Sequence, residues 1–177
     1  MNPTDTNQPS LTRVDEKWEL VLERTLANPI EEVWAALTQS GQLPAWGPFA
    51  TDRDLTEVGP VQLKHMNYPE EDEQRQGEVL TVEAPRLLVF RWGKDILRWE
   101  LSAIGSHTIL ILRHRFTDYQ MAPSYAAGWH LCLKGLTGIL AGEQMPSMTG
   151  SHAFRYGWKE LHDQYAKLFE ADDTLAD

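Results

Sequence analysis

The hydrophobic pattern is clearest from Ala122 to Gly142, where it predicts a helix with one apolar face. Four large apolar residues stand at positions i, i+4, i+7 and i+11 and therefore share that face: Trp129, Leu133, Leu136 and Leu140. Pro123 is tolerated in a first helical turn, and Gly142 follows the last turn, where glycine commonly closes a helix. Such a helix needs a large apolar partner.

Segments that precede this helix alternate between apolar and polar residues, as half-buried strands do. The clearest are 18–26, 96–103 and 107–116. Turn-forming residues recur about every ten residues between 51 and 116, which favours antiparallel hairpins. In the last strand, Ile109 and Ile111 stand on the polar side, where we expect them to mark a covered edge or a subunit contact.

Two other regions are predicted to be helical. Asn28 and Pro29 form a start signal for one helix, and the prolines and glycine of LPAWGPF then leave Trp46 on an irregular connection that closes one end of the core. A second helix is predicted from about Ser151 to Glu170, although Gly157 inside it costs about 1 kcal/mol relative to alanine. Its apolar stripe consists of Phe154, Trp158, Leu161, Tyr165 and Leu168.

The length of 177 residues predicts one domain over 16–170, a flexible polar tail at 1–15 and an acidic tail at 171–177. The first residues have neither the basic nor the apolar region of a leader, and no run of about 18 apolar residues occurs. We therefore expect a cytoplasmic protein without membrane insertion.

Charge and cysteine content exclude several classes of function. Twenty-six acidic residues against 16 basic ones give a formal charge of −10, which opposes binding to nucleic acid. The acidic run at 69–74 is expected to be a solvated loop. Cys132 is the only cysteine, so disulfides and a multi-cysteine zinc site are excluded, and we expect a buried, inert thiol.

Three motifs resemble one family. NPIEEVWAALTQSGQLPAW (28–46) resembles the opening segment of bacterial homologues of the activator of the heat-shock-protein-90 ATPase, the AHSA-type family. GEVLTVEAPRLLVFRW (77–92) resembles a hairpin of that family, and Gly128-Trp129 with the leucines that follow resembles its C-terminal helix. The chain is thereby identified as a member of the START-like (SRPBCC) superfamily.

That resemblance implies an α+β helix-grip fold. The expected architecture is a curved antiparallel sheet of six to seven strands wrapped on a C-terminal helix, with two short helices after the first strand. It also implies a cavity between the sheet and the helix at 122–141, because related proteins bind or transform small apolar molecules.

The candidate ligand-binding residues are those predicted to face this cavity. They are Arg24, Trp46, Leu63, His65, Phe90, Trp92, Trp99, Leu112, His114, Trp129 and Leu133. The tryptophans offer rigid surfaces to a ring-containing or acyl ligand, or they simply fill the core. Arg24 could anchor a ligand carboxylate or pair with an acidic side chain.

The leading hypothesis is a protein that binds a small hydrophobic molecule without covalent chemistry. One alternative is a cyclase-, aromatase- or lyase-like enzyme in which His65 or His114 transfers protons, although a hydrogen-bonded core histidine is the commoner case. Another is a co-chaperone-like or regulatory interaction protein. No hydrolase, zinc-protease or nucleotide-binding motif occurs, so no cofactor or metal is predicted, and a homodimer is the oligomer considered.

Overall fold

A computed structural model describes residues 8–66 and 74–175. Within these ranges eight strands form one antiparallel sheet. In chain order they are β1 (Ser10–Val14), β2 (Lys17–Leu26), β3 (Phe49–Thr51), β4 (Gly59–His65), β5 (Gln74–Glu83), β6 (Leu87–Trp92), β7 (Asp95–Ile104) and β8 (His107–Phe116). The acidic loop predicted at 69–74 lies outside the described residues except for Gln74, which begins β5.

Three α-helices accompany the sheet in the described ranges: α1 (Ile30–Thr38), α2 (Ala122–Leu140) and α3 (Trp158–Leu175). Short 3-10 helices occur at Leu43–Ala45, Tyr119–Met121 and Gly150–Tyr156. The two short helices predicted after the first long strand are α1 and the 3-10 helix at Leu43–Ala45. None of the helices in the described part of the chain is long and apolar enough to cross a membrane.

The strands are ordered β1-β2-β8-β7-β6-β5-β4-β3, so β2 closes onto β8 and the remaining neighbours form a meander. Alternation along β8 is confirmed. Leu110, Leu112, His114 and Phe116 are buried on one side of that strand, and more exposed residues lie between them. The curled sheet therefore has a dry inner face and a partly solvated outer face.

An additional strand lies where the sequence predicted a flexible tail. Residues 10–14 form β1 and pair with β2 along their whole length, which corrects the prediction of a tail over 1–15 for this part. Asp15, at φ 57°, begins the two-residue turn between the strands, and aspartate tolerates this left-handed conformation. The sequence pattern did not predict β1, because an exposed edge strand needs few apolar residues. Residues 1–7 lie outside the described ranges.

Helix α2 is gripped by the inner face of the sheet. Trp129, Leu133 and Leu136 are at most 3% exposed and belong to the same core cluster as Leu20 and Leu22 of β2. A buried leucine contributes roughly 2 kcal/mol by removal of its surface from water. The predicted helix-grip fold is therefore confirmed, with eight strands rather than six to seven.

The second C-terminal helix differs from its prediction. Gly157 has a φ of +86°, a left-handed conformation that ends the 3-10 helix at Gly150–Tyr156 before α3 begins. The prediction of a continuous helix from Ser151 is therefore wrong, because Gly157 ends the 3-10 helix and does not lie inside α3. Phe154 is consequently separated from the stripe of α3 and is 65% exposed. α3 extends to Leu175, into the segment predicted as an acidic tail.

Candidate functional site

A pocket of about 470 Å³ lies between the first half of α2, the ends of two strands and the segment after α2. α2 supplies Tyr125, Trp129 and Cys132, which share one face because they stand four and three residues apart. His65 at the end of β4 and Trp92 at the end of β6 line the opposite wall. The pocket therefore occupies one end of the space between helix and sheet.

Another wall comes from the segment between Met148 and Trp158. Met148 is buried and packs with Leu131 of α2, which fixes this segment against the helix. The rings of Phe154 and Trp158 lie 5.1 Å apart, and both residues line the pocket. Phe154 is largely exposed, so it stands at the rim, where a ligand would enter or leave.

The lining is mostly apolar. None of the described lining residues is Asp, Glu, Lys or Arg, and their polar side chains are those of His65 and a few hydroxyl residues: Ser124, Tyr125, Thr149 and Ser151. An ionised ligand would lose its hydration here without meeting an opposite charge, which is costly. In the described part of the chain no three His, Cys, Asp or Glu side chains come together as a metal site.

A chain of two hydrogen bonds holds Trp129. Its indole Nε1–H donates to Nδ1 of His114 at 3.0 Å, and Nε2 of His114 lies 2.8 Å from Oδ2 of Asp95. Because Nδ1 accepts a hydrogen bond, the proton of the neutral ring lies on Nε2 and is donated to the carboxylate of Asp95. This arrangement fixes the tautomer of His114 and the orientation of the Trp129 ring.

Trp92 is held in a parallel manner. Its indole Nε1–H donates to Nε2 of His65 at 3.1 Å. The ring of Trp92 also lies 5.2 Å from Phe49 and 6.3 Å from Trp129, the latter in an edge-to-face arrangement. Trp92 and Trp129 thus each use their only polar atom to bond a histidine and present apolar surface to the cavity.

The geometry of these histidines suits positioning better than proton transfer. His114 is fully buried, and both of its ring nitrogens have a partner. Burial lowers the pKa of His114 below its usual value, and Asp95 opposes this effect in part. To act as a base, the ring would first have to give up its bond to Trp129.

Seven of the predicted ligand-binding residues lie in the core behind the pocket and do not line it. They are Trp46, Leu63, Phe90, Trp99, Leu112, His114 and Leu133, each at most 3% exposed. Trp99 packs edge-to-face against Trp129 at 5.6 Å and against Trp46 at 5.8 Å. The indole of Trp46 donates to the carbonyl of Ala36 at 3.0 Å and so joins α1 to this core. These residues support the pocket wall from behind.

Arg24 does not line the pocket either. It is partly buried where β2 meets α2 and α3, near His130 and Tyr165, and Nδ1 of His130 lies 2.7 Å from the hydroxyl of Tyr165. Burial, with further contributions from the charges of Arg24 and Lys134, lowers the pKa of His130 to about 4. This cluster belongs to the packing of the two C-terminal helices.

Several lining residues were missed by the sequence reasoning. Tyr125 and Cys132 lie on the same helical face as Trp129, so their spacing could have identified them. Cys132 is buried, as expected, and burial raises the pKa of its thiol to about 12. The wall formed by Met148, Phe154 and Trp158 gave no local signal, because its position depends on how the chain returns after α2.

Comparison with known families identifies the superfamily. The model of the family described as "Activator of Hsp90 ATPase homolog 1-like protein" matches residues 27–141, which is more than half of the chain. The chain belongs to this family. The match spans α1, most of the sheet and α2, and it agrees with the AHSA-type, START-like resemblance of the sequence motifs. No functionally curated protein shows significant similarity to the sequence.

Solved structures share the fold at low identity. CalU16 from Micromonospora echinospora is 22% identical, with a TM-score of 0.70, and the match covers 91% of this chain and 96% of CalU16. A conserved protein of unknown function from Enterococcus faecalis is 14% identical, with a TM-score of 0.72 and 94% of each chain covered. The AHSA1 protein from Silicibacter pomeroyi is 25% identical, with a TM-score of 0.57, and the match covers 71% of this chain and 99% of that protein.

Proposed function

We propose that this AHSA1-like protein binds a small, uncharged hydrophobic molecule in the pocket under the first half of α2. The observation that carries the proposal is the lining: two hydrogen-bonded indoles, Trp92 and Trp129, face a cavity of about 470 Å³ without a formally charged wall residue among those described. Pockets of this size and polarity commonly hold drug-sized apolar ligands.

Binding without turnover is the form of the proposal that the geometry supports best. His65 and His114 each accept a hydrogen bond from a tryptophan, so the nitrogen that would serve as a base is already engaged. The cavity of about 470 Å³ that Trp92 and Trp129 line also favours ligand binding over an interaction protein with a filled core. A cytoplasmic location and a homodimeric state stay predictions from the sequence.

Gly128 offers a direct test. It lines the pocket, and a Cβ built on it would meet no atom within 4 Å, so a larger side chain has room to start toward the cavity. Replacing this helical glycine also removes a backbone penalty of about 1 kcal/mol relative to alanine. We expect Gly128→Leu to retain or raise the melting temperature while it weakens binding of a neutral apolar probe, Nile red, at least about tenfold.

Gly135→Ala is the matched control, because Gly135 lies in the same helix but does not line the pocket, and its added Cβ would make ordinary contacts with Met148 and Trp46. Its probe affinity should stay within about twofold of the wild type. Equal Nile red affinity for wild type and Gly128→Leu, or no binding to either, would contradict the proposed function. Native mass spectrometry of the purified protein would then identify any copurified ligand.

A further inference from the structure

A second groove lies on the outer face of the sheet, on the side opposite the pocket. Its volume is about 560 Å³, and the β1–β2 turn at Val14–Lys17 forms one of its walls. Four basic and three acidic residues line it, a positive balance in a chain whose formal charge is −10. With Glu100, which bonds two of the arginines, the charges of the groove are balanced, in contrast to the acidic protein as a whole.

Three arginines on β7 and β8 dominate this groove. Arg98 and Arg113 are direct cross-strand partners, and Arg115 stands two residues further on the same face. Their side chains are between about a third and a half exposed: Arg113 34%, Arg115 45% and Arg98 47%. Arg98 and Arg113 face each other across two strands, and Arg113 and Arg115 are two residues apart on one strand. Their guanidinium groups therefore lie close together.

Two glutamates hold the arginines from one side. Oε1 of Glu100 accepts the Nε–H bonds of Arg98 and Arg113 at 2.9 and 2.8 Å, and Oε2 of Glu19 accepts that of Arg115 at 2.7 Å. Glu19 also accepts from Nη1 of Arg113 at 3.3 Å and is only 6% exposed. The acids thus orient the guanidinium groups through their Nε edges.

The terminal nitrogens of these arginines are left for another acceptor. Among the described residues, Arg98 and Arg115 bond glutamate through Nε and Arg113 does so through Nε and Nη1, so the remaining Nη–H groups can donate to a further acceptor. Guanidinium groups bind phosphate through such pairs of N–H donors. Val89 and Ile96 provide apolar surface in the same groove. The donors and this surface together suit a ligand with an anionic end and an apolar body.

We propose that the outer groove binds the phosphate group of a small organic phosphate monoester, whose apolar part contacts Val89 and Ile96. The three non-bridging oxygens of a phosphate monoester offer more acceptor positions to these donors than a carboxylate does. The site is independent of the pocket under α2, because the two cavities share no lining residue.

The test follows the arginine Nε–Hε resonances by NMR while phenyl phosphate, benzoate or benzyl alcohol is added at constant ionic strength. Phenyl phosphate should shift the signals of Arg98, Arg113 and Arg115, benzoate should bind more weakly, and benzyl alcohol should cause no comparable shift. Arg98→Gln should weaken the binding of phenyl phosphate at least about tenfold.

Arg91→Gln is the matched control, because Arg91 lies on the same outer face, is similarly exposed at 44%, and also pairs with one glutamate, Glu78. It does not line the groove. If Arg98→Gln is unstable, Arg115→Gln replaces it, since that arginine bonds a different acid, Glu19. Equal weakening by Arg91→Gln, equal affinity for benzoate, or shifts spread over all arginines would overturn the proposal. Gly128→Leu should leave phenyl phosphate binding unchanged.

Discussion

Neighbouring polar residues of β8 find their hydrogen-bond partners in different environments on the two faces of the sheet. On the inner side of β8, His114 is fully buried and bonds Trp129 and Asp95, so its polar atoms serve a pocket without charged walls. On the outer side, Arg113 and Arg115 are ion-paired and partly exposed. A polar group that water cannot reach depends wholly on its protein partners, whereas an exposed one can exchange them for water.

The largest expected effect concerns the inner face. His114→Phe would leave the indole N–H of Trp129 and the carboxylate of Asp95 without their common partner, so we expect a loss of about 3 kcal/mol in the free energy of unfolding. Urea denaturation measures it. His107→Phe is the control, because His107 is an exposed residue of the same strand, and it should change stability by less than about 0.5 kcal/mol. Equal effects of both variants would break the comparison.

Acid should lower the free energy of unfolding through the buried His114 and the partly buried His130. Burial lowers the pKa of His114, and it lowers the pKa of His130 to about 4, so the folded state binds fewer protons than the unfolded state. Stability is therefore full above the unfolded value near 6.5 and declines as pH falls toward 4. The slope stays well below the limit of about 1.4 kcal/mol per pH unit for each histidine, because Asp95 opposes the change at His114 and solvent screens the partly exposed His130.

Unfolding free energies measured at pH values of about 7.5, 6.0 and 5.0 would show the slope. His130→Gln should flatten it, while replacement of the exposed His107 by Gln should leave it unchanged. A wild-type curve that is level across this window would contradict the expected direction of both pKa changes.

The outer face should give the smallest effect. Glu19→Gln removes the carboxylate shared by Arg113 and Arg115, and because Glu19 is nearly buried we expect a loss of about 1 kcal/mol. Glu78→Gln, which breaks an exposed pair with Arg91 at 3.4 Å, should cost less than about 0.5 kcal/mol. Urea denaturation at low and high salt would separate the two, and a Glu19→Gln loss as large as that of His114→Phe would refute the ranking.

Periodicity predicted the parts of the fold that repeat. The alternation of β8 and the apolar stripe of α2 follow directly from residue spacing, and both are found as expected. β1 was missed because an edge strand carries mostly polar residues, and the break at Gly157 was missed because a glycine inside an apolar pattern was counted only as a weak helix former.

The candidate site was harder to predict because its contacts join distant segments. Side-chain alternation placed His65 and Trp92 on inward faces and helical spacing did the same for Trp129, and these three do line the pocket. It could not distinguish them from Trp99 or Leu112, which face inward too but are covered by other core residues. The bond between His114 and Trp129 depends on how α2 lies across the sheet, and the bond between His65 and Trp92 joins two strands that are not neighbours. No local pattern records either contact.

The tight turn between β7 and β8 determines which side chains of β8 face the interior and which face solvent. Ile104 pairs with His107 across only two residues, and Gly105 adopts the left-handed conformation that this turn requires, with φ +59°. Insertion of a single residue here that shifted β8 by one position would carry Arg113 and Arg115 into the interior and His114 out to solvent. Length changes at this turn should therefore be tolerated only when they preserve the parity of the strand.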